Sequence, residues 1–229
     1  MSKLKNYAII LASGTGSRFG GNIPKQFEKI KNKTILEYSI GAFDKNDLID
    51  EVIVVVNFSY LDKTKDIIKK ANFKKVSKVV EGGKLRKDSS RNGVFSISDN
   101  EANVLIHDCA RPLVSQRIIN DCICALDRYN AVNVAVKSTD TVIEVSDNII
   151  KSVPNRENLR CCQTPQCFKL SIIKKAHELS MNDDNFSDDC GLILKHNLAD
   201  IFVVDGDTAN FKITYQNDIF LAEKILGNV

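Results

Sequence analysis

The chain has 229 residues, 27% of them charged and 43% hydrophobic, and its 32 basic and 29 acidic side chains leave a formal net charge of +3. That length suits one large α/β domain with a sizeable core, and the composition is that of a globular protein. The near balance of charge, the absence of Trp and the count of only 5 Tyr exclude a basic, base-stacking nucleic-acid platform; no run approaches the roughly 18 apolar residues of a membrane span.

The first element is an apolar run at 7–12 (YAIILA). Lys3 and Lys5 precede it, but the run is too short for the apolar region of a signal peptide and reads as a buried first strand. A glycine-rich loop follows, then a helix at 34–44 with Leu36, Ile40 and Phe43 at i, i+4 and i+7. The alternation continues with a strand at 51–56 (EVIVVV), a helix at 60–71, a strand at 75–80 (KVSKVV) and a helix at 88–97 opened by Asp88. A strand at 103–107 (NVLIH), a helix at 115–128 opened by Ser115 and a strand at 131–136 (AVNVAV) complete the run. Continuous apolar strands separated by helices predict an α/β fold: a Rossmann-like, mostly parallel sheet flanked by helices, with ligands at the carboxyl ends of the strands. After residue 137 the rhythm changes to short strands around Ser146-Asp147-Asn148, which predicts a β-hairpin arm projecting from the sheet at about 138–166. A helix at about 170–180, a polar loop (MNDDNFSDD) leading into a short helix, a strand at 201–205 and a helix at about 217–226 close a single domain over 1–229.

Seven cysteines stand at 109, 122, 124, 161, 162, 167 and 190, an odd number with no C-x-x-C pair and no His at metal-ligand spacing. Free thiols in a reducing cytoplasm are expected.

The chemistry is concentrated in the loop after the first strand. A dinucleotide fingerprint fails there, because Phe19 takes the third glycine position and the next strand is followed by Asn57 where a ribose-binding acid belongs. A P-loop fails too, because Asn22 stands where its lysine belongs. Two readings stay open: a loop whose backbone amides approach a triphosphate, with Arg18 and Lys25 as cations and Pro24 fixing the backbone before Lys25, or a solvated glycine turn with two surface cations.

The stretch "LASGTGSRFGGNIPKQF" resembles the signature of the CTP-dependent polyol-phosphate cytidylyltransferases, the family of the 2-C-methyl-D-erythritol 4-phosphate and D-ribitol 5-phosphate enzymes. Six further pieces occur in the family's order: "EGGKLRKDSSRNG", "IHDCARP", "TDTVIEV", "PNRENLRCCQTPQCF", "SDDCG" and "DGDTANFKIT". The resemblance implies transfer of CMP from CTP to a polyol phosphate, with release of pyrophosphate. It implies that Leu11, Ala12, Ser13, Gly14, Thr15, Gly16 and Arg18 surround CTP, that Lys25 and Lys212 stabilise the charge at the α-phosphate, and that Gly82, Gly83, Arg86, Asp88 and Ser89 form the cytosine-reading loop. Asp88 and Ser89 equally suit a helix cap.

On the acceptor side the resemblance implies Asp108, Arg111, Thr141, Thr164, Ser187 and Asp188, with Asp189 beside them, and Arg156 reaching the polyol phosphate of a neighbouring subunit. It therefore implies a homodimer with shared active sites, and Mg²⁺ or another divalent cation placed near the phosphates by Asp108. His107 and Cys109 read as structural. "PNR", "SDDC" and "SRFGG" resemble the ribitol-phosphate branch, and "RKDSS" the isoprenoid branch; ribitol 5-phosphate, for surface polysaccharide, is the favoured acceptor and methylerythritol 4-phosphate the alternative. A CTP-binding regulator without turnover is the rival outside enzymes, and any reductase partner is expected to be a separate protein.

Overall fold

The computed structural model describes residues 4–14, 19–20 and 23–227. In chain order the elements are β1 Asn6–Ala12, β2 Lys29–Ile30, β3 Lys33–Thr34, α1 Ile35–Asp44, β4 Glu51–Val56, α2 Leu61–Ala71, β5 Val76–Glu81, α3 Arg86–Phe95 and β6 Asn103–Asp108. They continue with α4 Gln116–Ala125, β7 Ala131–Lys137, β8 Glu144–Ser146, β9 Ile149–Ser152, β10 Arg160–Lys169, α5 Leu170–Leu179, α6 Asp189–Lys195, β11 Ile201–Asp205 and α7 Asn217–Gly227. Local chemistry sets several boundaries. Thr34 and Glu37 form a reciprocal cap at the start of α1, with Glu37 N donating to Thr34 Oγ1 (3.1 Å) and Thr34 N to Glu37 Oε2 (2.7 Å). Ser115 accepts from Ile118 N at the start of α4 (3.3 Å), as its position predicts.

The central sheet has seven strands in the order β11-β7-β10-β6-β1-β4-β5. All neighbours run parallel except β10, which lies antiparallel between β6 and β7. Because strand side chains alternate between faces, Ala8, Ile10 and Ala12 of β1 join one core with α1 and α4, while Tyr7, Ile9 and Leu11 join a second with α3, α5 and α6. Both faces are covered, which explains why the parallel strands read as continuous apolar runs. Gly93 lets α3 approach the sheet: a Cβ there would lie 2.7 Å from Ile9 Cγ2 and 3.0 Å from Val55 Cγ2.

The predicted hairpin exists, and Asp147 (φ 52°) and Asn148 (φ 61°) supply the two left-handed residues that a type I′ turn requires between β8 and β9. Its extent needs correction. The expected arm at 138–166 takes in most of β10, yet Arg160 pairs with Lys137 and Gln166 with Ile106, so residues 160–169 belong to the main sheet and the arm is confined to 138–159. A register shift between Gln163 and Gln166 interrupts the alternation of β10, and its buried polar side chains look like loop in the sequence. A second correction is small: α3 starts at Arg86, because the Asp88 carboxylate reaches back to Leu85 N (3.0 Å) from inside the first turn.

Candidate active site

The carboxyl ends of β1 and β6 lie side by side, with Leu11 paired to Asp108. The chain leaves β1 through α1 toward β4 on one side and leaves β6 through α4 toward β7 on the other, so the connections run apart at the carboxyl ends of these two strands. A cleft of about 370 Å³ occupies this place. Of the expected site residues, Leu11, Ala12, Ser13, Gly14, Lys25, Gly83, Arg86, Ser89, Asp108 and Lys212 line it together. Thr15, Gly16 and Arg18 lie outside the described residues.

The two expected lysines arrive from opposite ends of the chain. Pro24 (φ −58°) starts a single 3-10 turn at Lys25–Phe27, and buried Gln26 ties that turn to the end of β1 through Nε2 to Ala12 O (2.7 Å). Lys25 Nζ donates to Ile213 O at 2.6 Å, beside Lys212. Ile213 N donates to Ala110 O (2.8 Å), which fastens the segment after β11 to the loop leaving β6.

Asp108 is the electrostatic centre of the cleft. Its Oδ1 accepts from Arg86 Nε (3.1 Å) and its Oδ2 from Lys212 Nζ (2.7 Å). Burial alone would raise its pKa, but the Arg86 guanidinium and then the Lys212 ammonium outweigh burial and hold the carboxyl well below the usual range. Arg86 also donates through Nη1 to Asp189 Oδ2 (2.7 Å). Lys212, Asp108 and Arg86 thus form a chain of alternating charge along one wall, continued behind it by buried Asp189.

The 82–89 loop is shaped by close contact. A Cβ on Gly83 would lie 2.1 Å from Asp88 Cβ, so only glycine fits there. Ser89 Oγ accepts from Gly83 N (3.1 Å) and from Ser13 Oγ (2.7 Å), joining this loop to the loop after β1. Gly82 packs against Ser13 behind the cleft surface, and the Asp88 carboxylate serves the start of α3.

The expected acceptor residues divide into three groups. Thr164 sits in β10, not in the arm as expected, and its buried hydroxyl accepts from Asp108 N (3.1 Å) while facing His107 Nδ1 (3.0 Å). Burial pushes His107 down to about 4, so its ring is neutral and structural, as expected. Arg111 donates to Asn210 O (2.8 Å) and Cys162 O (3.2 Å), fixing the loop after β6 to β10 and to the segment after β11. Asp188 caps α6 through Gly191 N (2.9 Å) and accepts from Gln166 Nε2 (2.8 Å), and Ser187 is exposed next to it. Thr141 and Arg156 are exposed on the arm, and neither lines the cleft of its own chain; Arg156 Nη1 donates to Thr139 O (3.2 Å).

Burial pushes the Cys109 thiol up to about 12, in keeping with a packed side chain. All seven cysteines are free. Gln26, Thr214 and Phe19, which no motif marks as site residues, also line the cleft. Gln26 was legible only as a neighbour of Lys25, and Phe19 only as the residue that spoils a dinucleotide motif. Asp108 is the single carboxylate lining the cleft among the described residues, and these contain no cluster of three or more His, Cys, Asp or Glu able to cage a metal. One carboxylate suits Mg²⁺ held mainly by substrate phosphates. No helix among the described residues is long and apolar enough to cross a membrane.

A mostly parallel sheet with Lys25, Lys212, Arg86 and Asp108 gathered in a cleft at the carboxyl ends of β1 and β6 suits a nucleotidyltransferase. Residues 7–228 match the family described as IspD, 2-C-methyl-D-erythritol 4-phosphate cytidylyltransferase, and the chain belongs to that family of cytidylyltransferases. It is 41% identical over 224 residues to the 2-C-methyl-D-erythritol 4-phosphate cytidylyltransferase of Clostridium botulinum (strain 657), covering 97% of each chain. It is 40% identical over 232 residues to the bifunctional ribulose 5-phosphate reductase/CDP-ribitol pyrophosphorylase Bcs1 of Haemophilus influenzae, with 98% of this chain matched and about half (49%) of that protein's length spanned. The solved 4-diphosphocytidyl-2C-methyl-D-erythritol synthase of Anaerococcus prevotii superposes with a TM-score of 0.86 at 29% identity, covering 98% of this chain and 96% of that one.

Proposed function

We propose that this cytidylyltransferase joins CMP from CTP to ribitol 5-phosphate, giving CDP-ribitol and pyrophosphate. The observation that carries the chemistry is the meeting of Lys25 and Lys212 beside Asp108 and Arg86 at the end of β1 and β6. An acceptor phosphate oxygen attacks the α-phosphorus of CTP, the bond from that phosphorus to the bridging oxygen of the β-phosphate breaks, and pyrophosphate leaves. The attacking phosphate is already anionic, so no general base is needed; the barrier is repulsion between anions and charge growth at the α-phosphate. By the family resemblance Gly14, Thr15, Gly16 and Arg18 are assigned to the triphosphate; Lys25 and Lys212 meet the charge at the α-phosphate, and Gly83 and Ser89 hold the cytosine loop in place. A divalent cation, when bound, supplies charge neutralisation on the phosphates, and Asp108 is the side chain that would hold it.

The sequence strings "SRFGG", "PNR" and "SDDC" and the Haemophilus influenzae relative favour ribitol 5-phosphate. A second reading, methylerythritol 4-phosphate, draws on the Clostridium botulinum relative named for that substrate and on "RKDSS". Comparing kcat/KM for the two acceptors side by side, with CTP and Mg²⁺, separates them. A preference of about tenfold or more for ribitol 5-phosphate is expected, and the reverse preference assigns the chain to the second reading. The free thiols fit a reducing, cytoplasmic setting.

A homodimer with shared sites completes the proposal. The arm exposes Val145, Ile149, Ile150 and Val153 at 49%, 60%, 58% and 61%, and a lone two-stranded hairpin is marginal in water, so a second copy is its fitting cover. Arg156 would then serve the partner's cleft. Mixing Arg156→Ala with Lys25→Ala rebuilds one intact site in each mixed dimer, so activity recovers to about a quarter of normal after full subunit exchange. Mixed dimers without any recovery would count against sharing.

A further inference from the structure

Asp189, the first residue of α6, is fully buried and absent from the cleft surface, yet both its carboxylate oxygens are engaged. Oδ2 accepts from Arg86 Nη1 at 2.7 Å, and Oδ1 accepts from Ser90 Oγ at 2.5 Å. Its backbone N–H donates to Gln166 Oε1 (3.0 Å). His177 completes a buried Ser-His-Asp group, but not a nucleophilic triad. Ser90 (3.3 Å) and Asp189 (3.7 Å) face the same ring nitrogen, Nε2, while Nδ1 has no partner. The ring is also kept neutral by burial, so the group serves to hold a carboxylate and not to activate the serine.

The surroundings keep that carboxylate still. Lys87, next to Arg86 on α3, donates to Ser180 O (3.1 Å) and Asp183 O (2.6 Å), pinning the loop that leads to α6. Arg86 itself lines the cleft with a quarter (25%) of its side chain exposed, and its Nε holds Asp108 Oδ1 at 3.1 Å. An arginine gripped at two nitrogens by two carboxylates has one available orientation.

We infer that Asp189 is a positioning residue of this enzyme: it touches no reacting group and acts through Arg86, which it holds in place against Asp108. When triphosphate oxygens compete for Lys212, Asp108 loses one of its two cations; Arg86, anchored from behind, remains and fixes the wall against which CTP sits. The inference rests on the reading of the cleft as the CTP site.

The test is a double-mutant cycle on Asp189→Asn and Arg86→Met, read by calorimetric CTP binding and by kcat with ribitol 5-phosphate. In the Arg86 background Asp189→Asn is expected to lower kcat on the order of tenfold and to weaken CTP binding by about fivefold; in the Arg86→Met background it adds less than about twofold to either. Equal losses in both backgrounds would mean a merely structural carboxylate and overturn the inference, as would an Asp189→Asn enzyme within about twofold of the parent. Should Arg86→Met fail to fold, Arg86→Lys replaces it: one ammonium can meet Asp108 but cannot also grip Asp189, so the same loss of coupling is expected. If the parent enzyme turns over neither acceptor, the acceptor proposal fails, while the CTP-binding arm alone still decides the role of Asp189.

Discussion

Replacing Lys25 with Ala is expected to lower kcat by about 10² to 10³-fold while leaving the fold intact, which circular dichroism and thermal melting check. The magnitude follows from removing one preorganised cation aimed at charge that grows only in the transition state, worth about 3 kcal/mol. The fold survives because Lys25 is only partly buried and makes its bond to Ile213 O from a 3-10 turn that Gln26 separately ties to Ala12. Losing the bond to Ile213 O costs about 1.5–3 kcal/mol, discounted toward the low end by the partial exposure of Lys25. Lys25→Arg is not a mild change either, since a longer, planar guanidinium spreads its charge away from the point where the compact ammonium meets Ile213 O at 2.6 Å. A Lys25→Ala enzyme within about threefold of normal turnover would remove Lys25 from the mechanism.

Asp108→Asn should affect binding and turnover in opposite senses. The amide is nearly isosteric, but Arg86 and Lys212 lose the charge that now holds both, and the two cations face each other without a carboxylate between them. We expect kcat to fall at least about 10²-fold, because these donors lose their orientation. Stability should drop by about 1–3 kcal/mol, at the modest end for a broken ion pair because Lys212 is 39% exposed and solvent screens it. CTP binding without added metal should hold or tighten, since a negative charge has left a cleft that receives a polyanion. The half-saturating Mg²⁺ concentration should rise, because Asp108 is the one carboxylate of the described cleft surface. Parallel loss of CTP affinity and turnover would instead mark Asp108 as an ordinary contact to the nucleoside.

Much of this architecture was legible in the sequence because the parallel strands are buried on both faces and read as unbroken apolar runs. The runs at 51–56 and 103–107 match β4 and β6, and Ser115 marks α4, since a cap is a local interaction. The strand β10 was not legible. Its burial depends on insertion between β6 and β7, partners far away in sequence, and its polar Gln163, Thr164 and Gln166 are buried by side-chain hydrogen bonds that no local pattern encodes. Thr164 was therefore expected in the arm, where it is absent. The cleft shows the same division. Lys25 and Lys212 were identifiable by their motifs, but their convergence on Ile213 and Asp108 is a product of the fold. Asp189 is expected from its motif beside the acceptor residues; it is instead buried away from the cleft surface against Arg86, 103 positions away, a pairing that no local pattern encodes.

The most direct test of the central claim is to follow CTP labelled at the α-phosphorus, with ribitol 5-phosphate and Mg²⁺ present. The label is expected to move into CDP-ribitol at the rate at which unlabelled pyrophosphate appears, and omitting the acceptor should stop both. Label recovered as CMP at the same rate with or without a polyol phosphate would contradict it, because the cleft would then be hydrolysing CTP and not transferring its nucleotide.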